Sequence, residues 1–421
     1  MLHPPPLVKK AVERLDRCRS CKGSNLFLSL PLGDHPPANG FLRAAQLGQP
    51  EAKFPLNTHV CLDCGLIQLP DNIPANFFRN YVYVPSVATT MVAHFESLAD
   101  EVVRTYTTSS DDLIVDIGCN NGLFLGFCKE RGARVLGVDP AKNLTAQAAK
   151  KGIDIFGDYF GAQTGKAIAQ KYPGAALIVT TNTLNHIADL HDFMAGITLV
   201  LRPDGVFIVE VPHAQDLIEK NEFDTIYHEH VSEFTVRSLV DLYKFFDLEI
   251  FKIERLPVHG GSIRVYAQKH GGGRSVEPSV SEWLRREKEA GLFEKETHIA
   301  FAERVETIRL ELMELLSDLR SKGKTIAGYG APAKGNTLLN YYGIGPDTLL
   351  FLVDRNELKH GLYSPGMHVS VVAPSRILET KPDYLLLLAW NFADEIIEQQ
   401  KEYRKRGGKF ILPIPKPAII N

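Results

Sequence analysis

No apolar run in this 421-residue chain approaches the roughly 20 residues that a membrane-spanning helix needs. The longest, Tyr384-Leu385-Leu386-Leu387-Leu388-Ala389-Trp390, has the length of a buried strand. The stretch from Met1 to Lys10 holds prolines and no signal-peptide apolar core. An excess of basic charge is also missing. Lys and Arg number 47 against 50 Asp and Glu, a net charge of −3, which gives no general attraction to nucleic acid or anionic membrane. Cysteines number six, and neither glycine-rich turn completes a dinucleotide fingerprint. These absences argue for a cytoplasmic protein with neither a membrane nor a nucleic-acid partner. What remains, 44% hydrophobic and 23% charged residues, is ordinary globular composition over a length that suits two or three cores.

The stretch Asp112-Leu113-Ile114-Val115-Asp116-Ile117-Gly118-Cys119-Asn120-Asn121-Gly122 organises the chain. An apolar run ending in an acid and a glycine turn is how a buried parallel strand delivers its C-terminal end to a ligand. Gly118 and Gly122 are expected to let the backbone approach that ligand. A second run, Val135-Leu136-Gly137-Val138-Asp139, ends in another acid 23 residues after Asp116, so the unit reads as βαβ with Asp139 toward a ribose diol. The order D-x-G-C-N-N-G lacks the G-x-G that a pyrophosphate requires. S-adenosylmethionine has no phosphate, and its ammonium group suits Asp116. The site therefore reads as a methyl-donor site. Asn120 lies in its turn, and Asp158 and Tyr159, after the third short strand, frame an adenine. Asn182, His186 and Glu210 fall at later strand ends, on the ligand edge by position.

Four cysteines form two pairs, Cys18-Arg19-Ser20-Cys21 and Cys61-Leu62-Asp63-Cys64, about forty residues apart. Two C-x-x-C pairs close a tetrahedral thiolate site for structural Zn²⁺, with no open position for catalysis. A nucleic-acid finger would need a basic recognition helix that the segment lacks. Cys119 and Cys128 read as packing residues.

The densest chemistry is Tyr227-His228-Glu229-His230, which offers a base, an orienting acid and a phenol. Imidazoles two residues apart have no standard zinc spacing. Residues 281 to 320 carry Val305, Ile308, Leu312, Leu315, Leu316 and Leu319 at helical spacing, a connecting helical segment. A second strand–turn–helix unit then begins at Lys324. Its turn, Gly328-Tyr329-Gly330-Ala331-Pro332-Ala333-Lys334, lacks the third glycine of a dinucleotide site. Lys334 and free N–H groups at a helix N-terminus suit a diphosphate instead. Asn391 closes a later strand on the same edge.

These motifs, in this order, resemble the S-adenosylmethionine-dependent C-methyltransferases that act on nucleotide-linked 4-keto-deoxysugars, the family of the tetronitrose C-3 methyltransferase. The resemblance rests on the paired C-x-x-C knuckle, Tyr81-x-Tyr83, the Asp116–Gly122 turn and Asn182-Thr183-Leu184-x-His186-Ile187. It continues through Phe223-Asp224-x-Ile226-Tyr227-x-Glu229-His230, Leu256-Pro257-Val258-His259-Gly260-Gly261 and the Gly330 turn. It implies an α/β protein with a small zinc-binding domain (1–80), a Rossmann-like methyltransferase domain (81–275), and connecting helices with a second Rossmann-like domain that holds the nucleotide sugar (276–421).

The resemblance also implies roles. His230 removes the C3 proton, made acidic by the C4 ketone, and His186 or Tyr227 holds the enolate oxygen. Glu229 orients His230 or binds a sugar hydroxyl, and Tyr83 lines the same pocket. Tyr81, His259, Gly330, Lys334 and Asn391 contact the substrate. His228 stands where the family commonly has an acid and takes no catalytic role. The carrier is expected to be thymidine diphosphate, with guanosine or cytidine diphosphate open, and the protein a monomer or weak homo-oligomer. An O- or N-methyltransferase would need no carbanion-forming base. A nicotinamide-dependent oxidoreductase would need a full fingerprint.

Overall fold

The computed structural model describes residues 13–73 and 89–421, so Tyr81 and Tyr83 lie outside the described residues. The central sheet has seven strands, ordered Leu248–Leu256, Ser262–Lys269, Leu201–Pro212, Ala175–Thr181, Leu113–Ile117, Arg134–Val138 and Asp154–Phe156. The last five in that order are mutually parallel, and Ser262–Lys269 runs antiparallel to both its neighbours. All five residues of Leu113–Ile117 are buried, as expected for a parallel strand covered on both faces. Strand order reverses at Leu113–Ile117. That switch point opens a crevice at the strand C-termini.

A second open sheet, ordered Val371–Val372, Leu352–Val353, Ile326–Tyr329, Tyr384–Leu387, Lys409–Leu412 and Ala418–Ile420, is parallel except for its last strand. Its switch point lies at Ile326–Tyr329, followed by helix Ala333–Tyr342. The connecting segment is two helices. Pro278–Glu289 packs on the central sheet, and Lys295–Ser321 packs on the N-terminal strand Leu26–His35. In the second helix Phe301, Val305, Ile308, Leu312, Leu316 and Leu319 are buried at three- and four-residue spacing, one apolar stripe, with Leu315 at its margin.

The N-terminal sheet crosses the expected domain borders. Its strands are Leu26–His35, Phe54–Cys61, Ile67–Gln68 and, from more than 160 residues later, Ser232–Glu233. That last strand pairs antiparallel through Ser232↔Gln68 and Glu233↔Ile67, and the Thr235 hydroxyl donates to the Cys64 carbonyl at 2.7 Å. The N-terminal lobe is thus stitched to the segment that carries His230.

Candidate functional site

The two switch points face one cavity of about 490 Å³. The turn after Leu113–Ile117 lines one end and the Gly330 turn the other, with His186, Tyr227 and His230 also on its wall.

At the first end Asp116 is buried, and its Oδ1 has no hydrogen-bond partner among the described residues. Burial, reinforced by Asp139, pushes its carboxyl up to about 8. A buried acid without a donor fits the ammonium of S-adenosylmethionine. Asp139 accepts backbone N–H bonds from Asn120 at 2.9 Å and Ala141 at 2.8 Å, which fix its carboxylate at the cavity wall. Asn120 and Asn182 both have φ of +51°, a left-handed backbone that asparagine tolerates. Asp158 and Tyr159 also line this end, and the Tyr159 N–H donates to Asp158 at 2.8 Å.

Gly118, at φ +83°, lines the cavity, and a Cβ there would lie 2.1 Å from Thr183 Oγ1. Gly122 does something different from the expectation. It caps helix Leu123–Glu130, and a Cβ would lie 2.6 Å from Ile153 Cδ1 and 2.9 Å from Ala148 Cβ. Its bareness serves helix packing, and it is not part of the cavity wall. Glu210 also leaves the ligand edge: its carboxylate accepts from Arg264 at 2.6 Å and His94 at 2.8 Å in a buried ion pair.

Between the two turns, the Tyr227 hydroxyl meets His230 Nε2 at 2.5 Å, and the His186 ring stands edge-on to His230 at 4.9 Å. Burial pushes His230 down to about 3 and His186 well below its usual range, so both rings are neutral at physiological pH. A neutral imidazole is a competent base. Glu229 does not orient His230. Asn39 Nδ2 donates to both of its carboxylate oxygens, at 2.9 and 2.8 Å, and burial holds the group at about 7. The acid beside His230 is Glu233, whose Oε1 lies 3.4 Å from Nδ1. His228 is buried, donates to the Phe54 carbonyl at 3.1 Å and packs edge-on against Phe54, a structural tie.

At the far end Gly330 has φ +86°, and a Cβ would lie 2.9 Å from Ala389 Cβ. Lys334 Nζ sits 3.9 Å from the centre of the Trp390 ring and donates to Asn391 Oδ1. Burial lowers its ammonium to about 8, against the opposing pull of Asp224 and Glu222. Arg355 and Lys359 line the same end and add cations that motif reading passed over. Lys359 lies five residues beyond the strand-end acid Asp354 and donates to the Ala331 carbonyl at 2.8 Å. The His259 side chain is outside the described residues; its backbone forms the turn Val258–Gly260.

The four knuckle sulfurs lie within 4.8 Å of one another, with Cys18–Cys64 and Cys21–Cys61 both at 3.6 Å. A tetrahedron of thiolates at about 2.3 Å from zinc has edges of about 3.8 Å, so the donor set fits the ion. Arg19, inside the first pair, is buried and donates to the carbonyls of Ala188 at 2.6 Å and Leu69 at 2.7 Å. The knuckle therefore grips the chain two residues beyond His186.

Three family models match in succession: a zinc binding domain over residues 18–78, a methyltransferase domain over 92–253 and a C-methyltransferase C-terminal domain over 257–415. C-methyltransferase NovU of Streptomyces niveus is 38% identical over 97% of this chain and 98% of its own length. A ubiquinone biosynthesis O-methyltransferase of Bartonella bacilliformis is 31% identical over 23% of this chain and 39% of its own. Among solved structures, a SAM-dependent methyltransferase from Anabaena variabilis is 16% identical, with TM-score 0.32, over 42% of this chain and 84% of that one. No helix among the described residues is long and apolar enough to cross a membrane. With two switch points on one cavity, a four-thiolate knuckle and likeness to NovU from end to end, the chain belongs to the S-adenosylmethionine-dependent C-methyltransferases.

Proposed function

We propose that the enzyme methylates C3 of a nucleotide-linked 4-keto-deoxysugar through an enolate, with His230 as the base. The observation that carries this reading is the neutral His230–Tyr227 pair on the wall of one cavity, between a donor-type turn and a cation-lined turn. S-adenosylmethionine, when bound, supplies an electrophilic methyl group. Asp116 holds its ammonium, Asp139 its ribose, and Asp158, Tyr159 and Asn182 the remainder. At the other end the backbone N–H groups after Gly330, with Lys334, Lys359 and Arg355, hold the diphosphate. Thymidine diphosphate is the first carrier to test, then guanosine and cytidine diphosphates.

The C3 proton goes to His230 Nε2, and His186 donates to the oxygen where enolate charge develops. Tyr227 occupies Nε2 at rest. The proton passes through its oxygen, or reaches Nε2 after the sugar displaces the phenol. In D₂O, with S-adenosylhomocysteine in place of the donor, enzyme-dependent deuterium wash-in at C3 is expected by NMR. Tyr227→Phe separates the two paths: exchange is lost in the first and kept in the second. Absence of wash-in from every 4-ketosugar, together with methyl transfer to an oxygen or nitrogen acceptor, would replace C-methylation of a ketosugar with the second reading.

Donor binding carries its own pH signature. Asp116 is protonated below about pH 8 in the free protein and must ionise to pair with an ammonium. Binding at pH 7 therefore releases most of one proton, and affinity falls about tenfold per unit as pH drops below that value. Calorimetry of S-adenosylmethionine binding in buffers of different ionisation enthalpy measures this. Heats that do not depend on the buffer would remove Asp116 from the ammonium contact.

A further inference from the structure

Glu233 is fully buried, and neither of its carboxylate oxygens has a hydrogen-bond partner among the described residues. Burial holds its carboxyl well above the usual carboxylate range, so the acid rests neutral. The group within reach is His230, whose Nδ1 lies 3.4 Å from Oε1, close enough for an ion pair and off the line of a hydrogen bond. On the opposite side of the ring, Nε2 lies 2.5 Å from the Tyr227 hydroxyl, in a hydrogen bond whose direction follows the tautomer. A neutral imidazole that accepts at one nitrogen carries its proton on the other. With the phenol donating to Nε2, the ring proton is on Nδ1, facing Glu233.

We propose that Glu233 is the positioning residue of the base: it fixes His230 as the Nδ1–H tautomer and shares the positive charge that appears when Nε2 takes the substrate proton. This rests on His230 being the base. In that step the C3–H bond breaks, its electrons pass into the enolate, and the proton forms the Nε2–H bond. The imidazolium then holds its Nδ1–H against a carboxyl oxygen of Glu233. Long contacts in an unliganded site tighten as charge develops.

The placement is rigid. Glu233 sits on the two-residue strand paired with Ile67–Gln68, and Val231 N–H donates to the Asn185 carbonyl at 2.9 Å, next to His186. The other groups around His230 are the Thr225 carbonyl, the His186 ring, the Tyr227 phenol and the Lys334 ammonium. None of them is an acid, and Glu233 is the one ion-pair partner of His230 among the described residues.

The test compares Glu233→Gln with His230→Ala in the zinc-loaded full chain. The probe is thymidine diphosphate-4-keto-6-deoxyglucose, or its guanosine counterpart, in D₂O with S-adenosylhomocysteine. Glu233→Gln is expected to slow C3 exchange on the order of 100-fold, the scale of general-base effects. S-adenosylhomocysteine affinity and sugar KM stay within about twofold, and melting temperature is unchanged, since glutamine keeps the shape and neutrality of the buried acid. ¹⁵N NMR of the imidazoles gives a readout free of substrate: the wild-type His230 signals report Nδ1–H, and the variant loses that preference.

Exchange within twofold of wild type in Glu233→Gln, with His230→Ala inactive, would overturn the proposal and leave the base reading standing. Exchange lost only in step with melting temperature and S-adenosylhomocysteine affinity would also overturn it, as a structural role. Exchange that survives in His230→Ala would remove both.

Discussion

His230→Ala is expected to abolish methyl transfer, with at least a thousandfold loss of C3 exchange, while S-adenosylmethionine still binds within a fewfold of its wild-type affinity. General-base catalysis contributes typically 10²- to 10⁴-fold, and here the same ring also holds Tyr227 in place at 2.5 Å. The donor-side residues Asp116 and Asp139 reach the cavity from other strands, so truncating His230 leaves them where they are. Single-turnover exchange and equilibrium binding on the same preparation separate the two effects. An active His230→Ala variant would move the base to His186, the other neutral imidazole on the wall, or to Tyr227.

Removing zinc is expected to be as severe by a different route. Structural zinc in small domains is worth about 10–16 kcal/mol at neutral pH, comparable to the whole 5–15 kcal/mol stability of a typical fold. Cys61→Ser, or exhaustive chelation, should lower zinc content and melting temperature together. The lobe it destabilises is the one that holds Ser232–Glu233 through backbone pairing and grips Ala188 through Arg19. Proton exchange should therefore fall with zinc content, and binding of S-adenosylhomocysteine to the central sheet should fall much less. Metal analysis, calorimetry and the exchange assay on one sample check the set. A zinc-replete Cys61→Ser protein of unchanged stability would dismiss the four-thiolate site.

Much of the architecture could be read from residues that act locally. An apolar strand ending in Asp116 and Gly118, the same pattern at Tyr329 and Gly330, and two C-x-x-C pairs each carry their reason within a dozen neighbours. The residues whose surroundings the sequence does not report depend on partners far along the chain. Adjacency offers Glu229 either to His230 or to a sugar hydroxyl, and Asn39, 190 positions earlier, which donates to both its oxygens, speaks against the first of these. Glu233 is three residues past His230 and looks like a polar loop residue until a strand from the N-terminal lobe pairs with it. Gly122 looked like a ligand contact because glycine turns usually are, and only the nearness of Ile153 shows that its missing Cβ makes room for packing. Lys334 was legible as a cation but not as one lying over Trp390, among the acids of the 222–224 segment. No periodicity reports a contact between two such distant stretches.

The shared N-terminal sheet has a consequence for anyone recombining enzymes of this kind. The first seventy-odd residues look like a detachable module with its own metal, but one of the sheet's four strands is donated by the middle of the chain. A lobe transplanted from a relative would arrive with an unpaired edge at Ile67–Gln68 and would meet a foreign Ser232–Glu233 segment. The heritable unit is discontinuous: residues 13–73 together with the stretch from Tyr227 to Thr235. Chimeras that exchange both pieces should keep a working site, and those cut at the apparent border should fold as two good domains and catalyse poorly.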